Sequence, residues 1–105
     1  MQVGIPVKPM LAKPTTGVHV VLERFKNIDF TCEYKYDGFR GQIHFMRNRN
    51  DYKIFSRNLE DMTCAYPDVI DIVKKMMDAD KSINDFIIDS ELIAYDTKTN
   101  KILPF

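Results

Sequence analysis

An α+β fold with antiparallel sheets and flanking helices is predicted by three features of this 105-residue sequence. Two segments carry apolar residues at helical spacing. Several others read as strands, with period-2 alternation or short β-branched and aromatic runs. The strands are joined mainly by turns too short for the crossover that a parallel pair needs. The predicted order is helix, three strands, helix, strand, strand.

The elements follow in chain order. "MQVGIPVKPMLAKP" (1–14) holds Pro6, Pro9 and Pro14. Proline fixes φ and removes a donor, so an extended lead-in is expected. Val18, Val21, Leu22 and Phe25 then fall at i, i+3, i+4 and i+7. This predicts a helix over about 17–27, capped by Thr15 or Thr16. Residues 30–37 read as the first strand, and Gly38 and Gly41 bracket an expected bend or bulge. "QIHFMR" is the second strand, "NRND" (48–51) a turn, and "YKIFSR" the third. "YPDVIDIVKKMMDAD" reads as a helix, with Pro67 in its first turn and Asp68 at the positive end of its dipole. Its buried face is expected to be Val69, Ile70, Val73, Met76 and Met77. "DFIIDSELIAYD" (85–96) is one strand, "TKTN" a turn, and "KILPF" the start of a further strand whose return partner is not in the chain. That ending predicts a truncated domain.

Composition narrows the function classes. Lys plus Arg equals Asp plus Glu, 15 each. Strong nonspecific binding to nucleic acid needs a basic excess, so contacts to DNA must come from local clusters or from other parts of the protein. Cys32 and Cys64 belong to no CxxC or Cys/His cluster, which argues against zinc and for reduced intracellular thiols. No run approaches the roughly 18 apolar residues of a membrane span. His19 and His44 have no second ligand nearby in sequence, and the Met76–Met77 pair reads as core. Arg47 and Arg49, in "MRNRND", fit either a solvated turn or contacts to a phosphate backbone.

The chemistry-bearing stretch is "FTCEYKYDGFRGQIHF" (30–45). Glu33, Lys35 and Asp37 alternate, which suits the wet face of an edge strand. The rival reading is a nucleophilic lysine. An amine attacks a phosphoryl centre only when neutral, and holding a free lysine neutral at pH 7 costs about 4–5 kcal/mol. Two adjacent carboxylates favour the ammonium form. A reactive Lys35 therefore needs compensating cations, with Arg40 and Arg57 the candidates in this chain.

"KYDGFR" (35–40) matches the Lys-x-Asp-Gly-x-Arg motif of the covalent nucleotidyltransferases, comprising ATP-dependent DNA ligases, RNA ligases and mRNA capping enzymes. "IFSRN" (54–58) and "FIIDSELIAYD" (86–96) resemble the family's second and third motifs, in the same order. "PVKPMLAKP", "FTCEYKYDG", "YPD" and "ILPF" resemble the eukaryotic ATP-dependent enzymes, nearest the replicative DNA ligase I type. The resemblance covers essentially the whole chain.

The resemblance implies that residues 1–105 are the first part of a nucleotidyltransferase (ATP-grasp-like) adenylation domain. It implies ATP and Mg²⁺ as cofactors, with AMP carried covalently on Lys35. Glu33 would read the adenine amino group, and Asp37 would shape the lysine site. Arg40 would lie near the ribose and phosphates. Arg57 would contact the AMP or nick phosphate, and Glu91 the ribose or the metal. An adenine-stacking aromatic, a second metal-binding glutamate, two further lysines and an OB-fold are expected beyond Phe105, with a DNA-binding domain upstream. The implied parent is a nuclear, monomeric enzyme with no membrane association. It would seal nicks in duplex DNA during replication, repair and recombination. The rivals are an RNA ligase or capping nucleotidyltransferase, and a catalytically inactive truncated product.

Overall fold

The computed structural model describes residues 1–105. Its elements are helix α1 (Val18–Arg24), strands β1 (Phe39–Met46) and β2 (Asp51–Ser56), helix α2 (Pro67–Ala79), strand β3 (Phe86–Leu92), and a small hairpin of β4 (Tyr95–Asp96) and β5 (Lys101–Ile102). This is an α+β chain with two antiparallel sheets. The larger sheet has the order β2-β1-β3, both pairs antiparallel.

β1 is central and covered on both sides, so it is buried from Gly41 to Met46. Alternation divides its side chains between the two faces. Ile43 and Phe45 face α2 and join Ile54, Val73 and Met77 in the core, with Tyr52, Tyr66, Val69, Ile70, Ile83, Phe86 and Leu92 packed around it. The other face carries Arg40, Gln42 and His44. It is crossed by the lead-in, which has no regular secondary structure beyond Ile5, as its prolines require.

α2 matches its predicted span, with Pro67 in the first turn and Asp68 beside it. Its buried face is narrower than expected: Met77 is buried, whereas Met76 is 46% exposed. The "NRND" turn forms as a 3₁₀ turn closed by Asn50 in the left-handed region, a conformation that Asn tolerates. Arg47 is neither a solvated turn residue nor a free phosphate ligand. Its backbone N–H donates to Asp85 Oδ1 at 2.7 Å, and its guanidinium donates to the carbonyls of Ile83 and Asp80. That guanidinium also lies 5.2 Å over the Phe45 ring, pinning the α2–β3 loop to the end of β1.

Other expectations are corrected. Residues 30–37 form no strand, because no neighbouring strand offers them a ladder and neither side chain set is buried; Tyr34 is 91% exposed. Gly41 introduces no bulge. It sits in register between Ser56 and Ser90, and the Leu92 side chain crosses the space a Cβ would fill. The segment 85–96 is two strands, interrupted at Ile93–Ala94. α1 is shorter than predicted and starts at Gly17 without a side-chain cap. Its apolar stripe is largely solvent-facing, with Val18 73% and Leu22 56% exposed. Only 10 of 105 residues are buried. The radius of gyration, 17.0 Å, exceeds the roughly 13 Å of a compact chain of this length. No helix is long and apolar enough to cross a membrane.

Candidate functional site

A cleft of about 780 Å³ opens where five segments converge. Its walls are Leu11 and Ala12 of the lead-in, the run from Tyr34 into the start of β1, the turn after β2, Glu91 of β3, and Phe105. A volume of this order suits a small-molecule site, for which roughly 300–1,000 Å³ is typical.

Lys35, Arg40, Arg57 and Glu91 all line this cleft; Glu33 and Asp37 do not. Lys35 lies on an exposed segment outside any strand. It makes no ion pair with either flanking carboxylate, since the chain's four salt bridges all lie elsewhere. Gly38 brings this segment to the sheet. A Cβ there would stand 2.4 Å from the Leu92 carbonyl oxygen, so only a glycine lets the chain pass so close to the end of β3. This approach lets Lys35 and Glu91 share one cleft.

Arg57 is held by local turn chemistry. The Ser56 N–H donates to the Glu60 carbonyl at 2.9 Å, and the Leu59 N–H donates to the Ser56 carbonyl at 2.9 Å. The Ser56 hydroxyl oxygen accepts from the amides of Asn58 and Glu60, both at 3.2 Å. Arg57 sits in this tight turn, exposed and without a carboxylate partner. The turn requires Leu59 at φ 69°, a left-handed conformation that is costly for a branched side chain.

Arg40 is different, because its charge is already matched. Its Nε donates to Asp89 Oδ1 at 3.0 Å and its Nη2 to Asp89 Oδ2 at 2.6 Å, a bidentate clamp across β1 and β3. Its Nη1 donates to the Met10 carbonyl at 3.3 Å. Hydrogen bonding from Arg40 holds the Asp89 carboxyl below its usual range and raises the guanidinium above its own. Glu91 is the direct cross-strand neighbour of Arg40, whereas Asp89 is reached diagonally. Asp89 and Glu91 are therefore not equivalent solvated acids: one is clamped, and the other faces the cleft with no ion-pair partner. In the sequence Asp89 reads only as an acid on the same strand face as Glu91; its clamp on Arg40 depends on the register of β3 against β1. Ser56 and Gly38 were in view, but their contacts were not.

For a divalent cation, the cleft offers the carboxylates of Glu60 and Glu91. Nowhere do three His, Cys, Asp or Glu side chains cluster to form a cage. Mg²⁺ is commonly held by one or two carboxylates together with substrate phosphates. The donor set fits an ion brought in on a phosphate chain.

Comparison with known proteins decides the family. The sequence profile of the ATP dependent DNA ligase domain matches residues 9–105. The chain belongs to the ATP-dependent DNA ligase domain family. Within that family it is 50% identical over 105 residues to DNA ligase 1 of Dictyostelium discoideum, covering 100% of this chain and 9% of that protein. It is 50% identical over 102 residues to DNA ligase 1 of Arabidopsis thaliana, covering 97% of this chain and 12% of that protein. DNA ligase of Staphylothermus marinus is 42% identical over 104 residues, covering 99% of this chain and 16% of that protein. The chain thus spans roughly a tenth of the length of the ligases it matches. The resemblance to eukaryotic DNA ligases is borne out.

Proposed function

We propose that this chain is the nucleotide-binding part of an ATP-dependent DNA ligase and that Lys35 is its nucleophile. One observation carries the reading: Lys35 and Arg40 from one run, Arg57 from the turn after β2 and Glu91 from β3, three separate stretches of chain, line the same cleft. In the proposed first step the neutral Lys35 amine attacks the α-phosphorus of ATP. A P–N bond forms, the bond from Pα to the bridging oxygen breaks, pyrophosphate leaves, and the amine's proton passes to solvent. AMP then transfers to the 5′-phosphate of a nick in duplex DNA. Attack by the 3′-hydroxyl closes the strand and releases AMP.

Such chemistry is mainly positioning and charge neutralisation. Arg57, unpaired and turn-held, is the guanidinium best placed to take a phosphate bidentately. Arg40, clamped by Asp89, serves as a fixed element of the cleft with its remaining N–H groups toward the ribose and phosphates. Glu91 would hold Mg²⁺ or the ribose; a bound Mg²⁺ supplies positive charge against the phosphates. Glu33 and Asp37 lie outside the cleft lining, and their proposed parts, adenine recognition and shaping of the lysine site, require the 33–37 segment to settle onto the nucleotide. The whole protein would act in the nucleus, in replication, repair and recombination, as a monomer on DNA.

The test is incubation of the intact protein with α-labelled ATP and Mg²⁺, then denaturing electrophoresis and peptide mapping. Label is expected on Lys35, and label on any other residue contradicts the assignment. The isolated 105-residue chain should label weakly, because Arg40 is neutralised and Arg57 is the one unpaired guanidinium in the cleft.

A further inference from the structure

We propose that Gln42 and His44 are positioning residues: they hold the lead-in along β1 and thereby set Leu11 and Ala12 as one wall of the cleft. The inference rests on reading that cleft as the ATP site. Alternate residues of β1 grip the lead-in at every third residue. His44 Nδ1 accepts from the Gly4 N–H at 3.0 Å. Gln42 Oε1 accepts from the Val7 N–H at 2.9 Å, and its Nε2 donates back to the Val7 carbonyl. Arg40 donates to the Met10 carbonyl at 3.3 Å. Leu11 and Ala12 follow directly and line the cleft.

The spacing has a cause in the sequence. A strand presents the same face every second residue, so residues 44, 42 and 40 share one face and meet residues 4, 7 and 10 of the lead-in. Pro6 and Pro9, which lack an N–H, fall off the positions that must donate. The network also closes on itself. Because Nδ1 of His44 accepts, its proton sits on Nε2, 3.3 Å from Gln42 Oε1. Both side chains are buried, Gln42 at 5% and His44 at 0% exposure. An apolar pair would have covered the sheet equally well. Buried polar groups cost free energy unless bonded, and here the partners outside the pair itself are peptide groups of the lead-in. Such a network fixes register, which apolar packing alone does not.

The experiment uses Gln42→Leu and Val7→Pro in the intact protein; the second removes the Val7 donor, fixes φ there, and leaves β1 untouched. Two quantities are read: amide exchange over residues 3–12, and the ATP dependence of Lys35 labelling. Loss of one or two of these bonds should speed exchange at the remaining lead-in amides about tenfold and raise KM for ATP about 2- to 10-fold. The maximal labelling rate should stay within about twofold, since uniform binding rather than the chemical step is affected. Unchanged exchange, or faster exchange with KM unmoved, overturns the proposal. If the unaltered protein took no label at any ATP concentration, the ATP reading and the wall's role would fall together. The exchange data would still decide whether the pair holds the lead-in.

Discussion

Replacing Gly38 by alanine tests how the Lys35 segment is brought to the sheet. The added Cβ would lie 2.4 Å from the Leu92 carbonyl oxygen and 3.0 Å from Ile93 Cγ2. A comfortable carbon–oxygen contact is roughly 3.3 Å, so the backbone on one side must retreat by about 0.9 Å. One side of the tightest contact is held by the sheet: Leu92 closes the β1–β3 ladder opposite Phe39. Overpacking of this kind costs about 1–3 kcal/mol. The retreat should open the gap between Lys35 and Glu91, so Lys35 labelling should fall further than stability alone accounts for. Urea unfolding of the intact protein and labelling under conditions where it stays folded measure the two effects separately. A Gly38→Ala protein within about 0.5 kcal/mol of the parent, labelling at the parent rate, would refute the close-approach argument.

Four further outcomes are expected. Ile54→Ala empties a fully buried position in the core and should cost about 2–5 kcal/mol in chemical denaturation. Leu59→Gly relieves a left-handed backbone; set against the looser unfolded chain, the net gain should be up to about 1 kcal/mol, visible as a raised melting temperature. Asp89→Asn breaks the Arg40 clamp, whose members are 33% and 42% exposed; screening limits the loss to about 1 kcal/mol, but the freed Arg40 should alter KM for ATP. Asp61 accepts from the Thr63 hydroxyl and amide and from Lys53, which lower its pKa to about 2. Its contribution is fully present above the ordinary carboxylate value near ~4 and is lost as pH falls from there through the folded value of about 2. The stability gap between parent and Asp61→Asn should therefore narrow steadily on acidification.

Local signals carried much of the fold. Pro67, Asp68 and the apolar spacing of 69–77 placed α2 closely, and "NRND" placed its turn, because each rests on neighbours within a few residues. Failures arose where a distant partner decides. The charge alternation of 33–37 mimics a strand, yet a strand exists only with a ladder beside it. α1 has a helical stripe, yet within this chain nothing buries it. The same division holds at the site. The motifs named Lys35, Arg40, Arg57 and Glu91, and the fold gathers them. The Asp89 clamp depends on strand register, and the grip of Gln42 and His44 on the lead-in depends on partners more than thirty residues away. A single sequence does not display register.

The central claim is that the amine of residue 35 receives the nucleotide. Mass spectrometry of the intact protein, taken after exposure to ATP and Mg²⁺ and before any DNA is added, tests it most directly. The account predicts one AMP per chain, located on Lys35 and absent from Lys35→Ala. An equal AMP load on Lys35→Ala would contradict it.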